Sequence, residues 1–151
     1  MLKVKDIMTR EVISVTPDTE VVQAAKILLE KRINGMPVVD EQNRLVGIIC
    51  QSDLIAQQKR FPIPNLFTFL DGYISLTSVK QIEHEIQKLA AVTVAQAMTP
   101  KPVTVHPETA IEEVAALMVD KYYHTLPVVE NGLLVGIVGK EDILRTLMGG
   151  S

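Results

Sequence analysis

An internal repeat constrains this chain more than any other feature of its sequence. The stretch MPVVDEQNRLVGIICQSDLI, residues 36–55, returns with changes as LPVVENGLLVGIVGKEDIL, residues 126–144, about 90 positions later. Each copy has two short apolar runs, a polar turn between them and the start of a helix after them, which predicts a β-hairpin followed by a helix. Such a recurrence indicates a duplication, so we expect two similar halves.

The elements ahead of the first hairpin follow from local patterns. Residues 12–15 predict a short strand, and the TPDT turn at residues 16–19 predicts a helix start in which Asp18 or Thr19 caps a free backbone N–H. The helix itself is predicted over residues 20–31, because its apolar positions recur at helical spacing.

The second copy predicts the same order of elements. A strand is expected at residues 103–105, a helix near residues 110–121, and a tighter hairpin around Asn131-Gly132, which is a strong turn signal. Each half alone would form a three-stranded sheet with two helices on one face and would leave its other face apolar and exposed. Packing the two sheets together buries both faces, which predicts a mixed α/β (α+β) fold.

An insert separates the two repeats. We therefore divide the chain into a first repeat at residues 1–56, an insert at residues 57–95 and a second repeat at residues 96–151. The insert contains the aromatic run FPIPNLFTFLDGY and one predicted helix that begins with a capping box at Ser78. It is interpreted either as a helix that covers a sheet edge or the junction of the halves, or as a lid or partner-docking surface.

Composition excludes several classes of function. The formal net charge is −3 and no basic block occurs, which argues against nucleic-acid binding. Cys50 is the only cysteine, so no intrachain disulfide can form, and no apolar run reaches membrane-spanning length; we expect a cytoplasmic protein. The three His and one Cys lack metal-ligand spacing, and no phosphate loop or nucleophile–base pair is present, so we expect no metal site and no catalytic residues.

The repeated motifs, taken in order, resemble the CBS domain, the cystathionine-β-synthase-type domain. The first copy has Asp6-Ile7-Met8-Thr9, Gly35-Met36-Pro37-Val38-Val39 and Leu45-Val46-Gly47-Ile48-Ile49 followed by Asp53, and the second has Ala97-Met98-Thr99-Pro100, Thr125-Leu126-Pro127-Val128-Val129 and Leu134-Val135-Gly136-Ile137-Val138 followed by Asp142. The resemblance covers about two thirds of the chain. It implies a tandem pair of βαββα units related by a pseudo-twofold axis, with ligand clefts between the repeats, no catalytic machinery and a regulated partner.

The resemblance also implies ligand-binding residues. The Asp that opens the last helix of each repeat is expected to accept the ribose hydroxyls, which assigns Asp53 and Asp142 to that role. The position three residues earlier is usually Ser or Thr, but it is Cys50 in one copy and Gly139 in the other.

Two clefts are implied, each lined by both repeats. One would be formed by Ile13, Ile33 and Asn34 facing Ile137 and Asp142, and the other by Val103, Tyr123 and His124 facing Ile48 and Asp53. Candidate phosphate-binding cations are Arg32, Lys121 and His124, and hydroxyl donors could come from Thr9 or Thr99. The alternatives are that the two Asp are first-turn helix acids and that Arg32 is a helix-end cation.

We predict that the cleft of Asp53 binds better than the cleft of Asp142. Tyr123 offers a ring for purine stacking, Cys50 retains a weak donor that Gly139 lacks, and we expect Arg32 to reach phosphate oxygens in this cleft.

Two functions remain open at this stage. The first is a regulatory module that binds an adenosine nucleotide (AMP, ADP or ATP, with NAD or S-adenosylmethionine as alternatives) and modulates a protein partner. The second is a structural dimerisation module with empty clefts, which Cys50 and Gly139 favour. A homodimer is expected in either case, on the ground that six apolar helix residues cannot all face one intrachain sheet: Val21, Ala24, Leu28, Ile111, Val114 and Leu117.

Overall fold

The computed structural model describes residues 1–60 and 92–149. Most of the predicted insert, including its aromatic run and its predicted helix, lies outside the described residues. Among the described helices, none combines the length and the apolar character that a membrane span requires.

Both halves have the predicted order of long helix, hairpin and final helix. The first contains α1 (Val4–Ile7), α2 (Val21–Lys31), β1 (Gly35–Val39), β2 (Leu45–Cys50) and α3 (Gln51–Arg60). The second contains α4 (Val94–Ala97), β3 (Thr99–Pro100), α5 (Ile111–Lys121), β4 (Thr125–Glu130), β5 (Leu133–Gly139) and α6 (Lys140–Leu147). The predicted mixed fold of two related units, each with a helix, a hairpin and a second helix, is confirmed.

The two hairpins are near copies of each other. β1 pairs with β2 and β4 with β5, both antiparallel, and each first strand has an irregularity at the same place, after Val38 and after Val128. The predicted tight turn is present: Asn131 and Gly132 both have positive φ, 55° and 79°, as a two-residue hairpin loop of type I′ requires.

Two local predictions are wrong. Among the described residues, the strands expected at residues 12–15 and 103–105 each form only one bridge, from Val15 to Val38 and from Val105 to Val128. The third strand of the first sheet is Thr99–Pro100, which pairs with β2 at the opposite edge, and β4 and β5 form a sheet of two strands instead of the expected three. The cap of α2 also differs: Glu20 occupies the cap position without a side-chain bond, and the Thr19 hydroxyl accepts the Thr16 N–H at 3.2 Å within the turn.

The short first helix of each half docks on the other half's framework. The Val4 N–H donates to the Thr109 carbonyl at 2.9 Å, and Val4 is fully buried in the core of the second half. In the same way the Val94 N–H donates to the Thr19 carbonyl at 2.8 Å, and Val94 belongs to the core of the first half. The two repeats are therefore interleaved at both of these segments.

Each half has its own aliphatic core, packed between its long helix and its hairpin. Ala24 and Leu28 of α2 lie in the first core, and Val114 of α5 lies in the second. The six apolar helix residues therefore do not need a second copy to cover them, contrary to expectation. Five of the six are buried within the chain and the sixth is half-buried: Val21, Ala24, Leu28, Ile111, Val114 and, half-buried, Leu117.

Candidate ligand-binding clefts

Two clefts lie between the halves, and we name them by their aspartates. The Asp53 cleft has a volume of about 560 Å³, and the Asp142 cleft about 200 Å³. Small-molecule sites in proteins are usually about 300–1,000 Å³, so only the Asp53 cleft falls within that range. Each cleft combines the last hairpin and helix start of one half with the end of the long helix of the other half, and Asn34 and Thr125 border both.

Asp53 is held by the backbone at the point where β2 becomes α3. Its Oδ2 accepts the Cys50 N–H at 2.8 Å, so the carboxylate caps the start of the helix. Its Oδ1 accepts the Thr99 hydroxyl at 3.2 Å, and Thr99 comes from the other half. One oxygen of Asp53 therefore acts as a helix cap, in line with the alternative that Asp53 is a first-turn helix acid. The other oxygen points to the cleft and has a single long hydrogen bond among the described residues.

Asp142 has the same cap but a different second partner. Its Oδ2 accepts the Gly139 N–H at 2.8 Å, as in the first half. Its Oδ1 is paired with the Arg145 guanidinium, one turn further along α6, and the residue is only 7% exposed. Both oxygens of Asp142 are therefore already bonded, one to the Gly139 N–H and the other to Arg145. This leaves less capacity for a ligand than at Asp53.

Most predicted site residues line the cleft to which they were assigned. The Asp53 cleft is lined by Ile48, Cys50, Asp53, Thr99, Val103, Tyr123 and His124. The Asp142 cleft is lined by Thr9, Ile13, Ile33, Asn34, Ile137, Gly139 and Asp142.

Arg32 is a correction. We expected it to reach the Asp53 cleft, but it lies in the Asp142 cleft beside Ile33. The reason is geometric: Arg32 ends α2 in a left-handed conformation with φ of 54°, and the end of α2 borders the other half's hairpin. The equivalent cation at the end of α5, Lys121, lines the Asp53 cleft instead.

Sequence reasoning missed two lysines of the Asp53 cleft. Lys101 follows β3, and Lys140 opens α6. Aligning the repeats pairs Lys101 with Glu11, which lines the Asp142 cleft and was not predicted either, so the equivalence alone gives no signal. The counterpart of Lys140 is Gln51, and the fold brings both of these residues to the Asp53 cleft.

Cys50 faces the Asp53 cleft as a protonated thiol. Burial, followed by the negative charge of Asp53, raises the pKa of the Cys50 thiol to about 11. It is therefore a weak hydrogen-bond donor at neutral pH and not a thiolate nucleophile. Within residues 1–60 and 92–149, no group of three or more His, Cys, Asp or Glu side chains is arranged to hold a metal ion.

Comparison with known sequences shows a family match over most of the chain. The model for the CBS domain matches residues 4–60 and 94–149. The chain is 33% identical over 139 residues to the chloroplastic CBS domain-containing protein CBSX2 of Arabidopsis thaliana, covering 89% of this chain and 58% of CBSX2. The chain thus spans little more than half the length of that relative. An uncharacterised protein of Methanocaldococcus jannaschii, MJ1426, is 27% identical over 98% of this chain and 92% of its own length.

Solved structures show the same architecture. CBSX2 in complex with AMP has a TM-score of 0.74 and 28% identity, covering 99% of this chain and 98% of that chain. The CBS domain pair of MJ0100, in complex with 5′-methylthioadenosine and S-adenosyl-L-methionine, has a TM-score of 0.72 and 29% identity, covering 100% of this chain and 99% of that chain. The repeat, the interleaved halves and these matches lead to one conclusion: the chain belongs to the CBS domain family and carries a tandem pair of CBS repeats.

Proposed function

We propose that this chain is a regulatory module that binds an adenosine nucleotide in the Asp53 cleft and so modulates a protein partner. The observation that carries the proposal is the state of the Asp53 carboxylate. One oxygen is fixed by the Cys50 N–H at 2.8 Å, and the other borders the cleft, where its one hydrogen bond within residues 1–60 and 92–149 is the 3.2 Å bond from Thr99. An oriented, charged acceptor of this kind suits the vicinal hydroxyls of a ribose.

The walls of the cleft suit a purine base. Ile48 and Val103 supply aliphatic surface from the two halves, and Tyr123 supplies an aromatic ring that is itself packed on the second core. Because the core already holds this ring in place, stacking a base against it costs little conformational entropy. A stacked pair of this type contributes on the order of 1 kcal/mol beyond the area it buries.

The solved relatives support an adenosine-type ligand without selecting one. CBSX2 has been crystallised with AMP, and the MJ0100 pair with 5′-methylthioadenosine and S-adenosyl-L-methionine. Adenosine is the part that these ligands share, and their 5′ groups differ in charge. We therefore assign adenosine recognition to the ribose and base contacts, and selection among AMP, ADP and ATP to the 5′ end of the cleft.

Regulation follows from the position of the cleft between the halves. Asp53 belongs to the first half and Tyr123 to the second, so a ligand held by both would favour one relative arrangement of the halves. A partner that distinguishes the arrangements would then bind with an affinity that depends on the nucleotide, and the coupling would be reciprocal.

Calorimetric titration of AMP and ATP into Asp53→Ala and Asp142→Ala tests the proposal. Each variant loses the same helix cap, so the Asp142 variant is a matched control for cap loss. Asp53→Ala should lose roughly 1.5–3 kcal/mol of binding, about a tenfold to hundredfold drop in affinity. Asp142→Ala should bind nucleotide in the Asp53 cleft with the same affinity as the parent. Equal affinities in the parent and Asp53→Ala would refute the ribose assignment.

A structural module with empty clefts is the second candidate. It is favoured by the saturated Asp142 carboxylate, and by the absence of a hydroxyl side chain at Cys50 and Gly139. If no adenosine compound changes the melting temperature or gives heat on titration into the parent chain, this candidate replaces the first.

A further inference from the structure

The two clefts differ in charge at positions that the repeat makes equivalent. Lys101 in the Asp53 cleft corresponds to Glu11 in the Asp142 cleft. Beyond the hairpins, Ser52 in the Asp53 cleft corresponds to Glu141 in the Asp142 cleft. At these two equivalent positions, the Asp53 cleft therefore has a lysine and a serine, whereas the Asp142 cleft has two glutamates.

The Asp53 cleft is the cationic one. Among the described residues that line it, three lysines, Lys101, Lys121 and Lys140, and one carboxylate, that of Asp53, give a formal charge of +2. Among the described residues none of these lysines forms an ion pair. They come from three separate places in the second half: the residue after β3, the end of α5 and the start of α6.

The Asp142 cleft is the anionic one. In the part of the chain that the structure describes, Arg32 and Arg145 face three carboxylates, Glu11, Glu141 and Asp142, for a formal charge of −1. Arg145 is already paired with Asp142, so its positive charge is largely neutralised by that carboxylate. The equivalent of Arg145 in the first half is Ala56, so α3 offers Asp53 no guanidinium at that position.

Lys101 has a further distinguishing feature. It adopts a left-handed backbone conformation with φ of 48°, which is uncommon for a residue with a side chain. Conformations of this kind concentrate at ligand-binding and switch sites, where the surrounding structure maintains them. Its counterpart Glu11 does not have positive φ.

We infer that the Asp53 cleft selects adenosine nucleotides with two or three phosphates, held by Lys101, Lys121 and Lys140, and that the Asp142 cleft excludes them. The inference rests on the proposed function, because it takes adenosine recognition in the Asp53 cleft as given. Each phosphate carries negative charge, and a single one, at about −1.5 to −2, cannot engage lysines from three separate elements as fully as a chain of phosphates can. The anionic lining and the volume of about 200 Å³ oppose the same ligands in the Asp142 cleft.

The test is calorimetric titration of adenosine, AMP, ADP and ATP into the parent, Lys101→Glu and Glu11→Lys, in buffer free of divalent cations. In the parent, affinity should rise with each phosphate, ATP should bind once per chain, and added salt should weaken ATP more than adenosine. Lys101→Glu should lower ATP affinity by about tenfold or more while leaving adenosine nearly unchanged. Glu11→Lys makes the same kind of charge reversal in the Asp142 cleft. It should leave the ATP affinity of the Asp53 cleft unchanged from the parent.

The outcomes separate this inference from the function on which it rests. If adenosine, AMP, ADP and ATP bind with equal affinity, or if two ATP molecules bind per chain of the parent, the inference is overturned while nucleotide binding stands. If none of them binds the parent, both are overturned. Should Lys101→Glu fail to fold, Lys140→Gln keeps the test decisive, because it removes a second phosphate contact from a helix start and should also lower ATP affinity more than adenosine affinity.

Discussion

Gly47 lies against Met98, a residue of the other half, with no room for a side chain between them. A Cβ added at Gly47 would overlap the Met98 sulfur and would lie 3.0 Å from the Thr99 carbonyl oxygen. Gly136 has the same relationship with Met8, at 2.7 Å from the sulfur. These close approaches allow Thr99 to pair with β2 and Thr9 with β5, which places both threonines at the clefts.

We expect Gly47→Ala to destabilise the fold by about 1–3 kcal/mol, the usual cost of overpacking. The Met98 side chain can move, but the Thr99 carbonyl belongs to the paired backbone and cannot move without loss of the β3 contact. Gly139→Ala is the control, since the nearest atom to a Cβ there is a side-chain oxygen of Glu141 at 3.3 Å, and the nearest backbone atom, the His124 oxygen, lies at an ordinary contact distance of 3.7 Å. Urea unfolding of the two variants measures the difference, and equal stabilities would contradict the prediction.

The sequence was sufficient to predict elements that depend on nearby residues. The long helices, the hairpins and the Asn131-Gly132 turn follow from local periodicity and turn chemistry, and the structure confirms them. The docking of α1 and α4 on the opposite halves could not be predicted, because bonds such as Val4 to Thr109 join residues far apart in the chain and have no local signature.

The candidate site shows the same division. Resemblance of the motifs was enough to name Asp53 and Asp142, since each stands at a defined place in its repeat. The position of Arg32 was predicted wrongly and Lys140 was missed, because each cleft is assembled from different ends of the two halves. Which cation enters which cleft is a property of the packed fold, not of spacing along one repeat.

The first helix is also attached by an ion cluster whose strength should depend on pH. Glu108 accepts bonds from Lys3 at 2.6 Å and Lys5 at 2.7 Å, and these lower the pKa of the Glu108 carboxyl from 4.5 to about 2. Because the pKa of Glu108 is lower in the folded chain than in the unfolded chain, its ionised carboxylate stabilises the fold. This stabilisation should be complete above about pH 4.5 and should disappear as the pH falls toward 2.

Glu108→Gln should therefore melt at a lower temperature than the parent at pH 6, by a small margin, because all three side chains are well exposed. The difference should shrink as the pH falls below 4.5 and also in 1 M salt, which screens exposed charges. Glu112→Gln, a nearby exposed carboxylate outside the cluster, is the control. A melting difference that is constant from pH 6 to pH 3 would show that the cluster does not behave in this way.

Cys50 should react slowly with alkylating reagents. With a pKa of about 11, its thiolate fraction at pH 8 is small, so iodoacetamide should modify the folded chain about a hundredfold more slowly than the chain in denaturant. The rate should keep rising with pH toward 11, and Asp53→Asn should raise it by removing the nearby negative charge. Mass spectrometry of timed samples gives the rates. An inflection near pH 8.5 in the folded parent would rule out the raised pKa.

A homodimer remains a prediction, now on a different surface from the one first expected. Leu29 of α2 and Val119 of α5 occupy equivalent positions and are 75% and 72% exposed, and Ile55 and Leu144 are likewise equivalent and exposed. Because the same apolar pair recurs on both halves, a second copy related by a twofold axis can cover both pairs at once. Light scattering at tens of micromolar should give twice the chain mass of 16.7 kDa. Leu29→Glu should shift the mass to that of one chain, and Gln23→Glu on the same helix should not. A parent that has the mass of a single chain at this concentration would exclude the dimer.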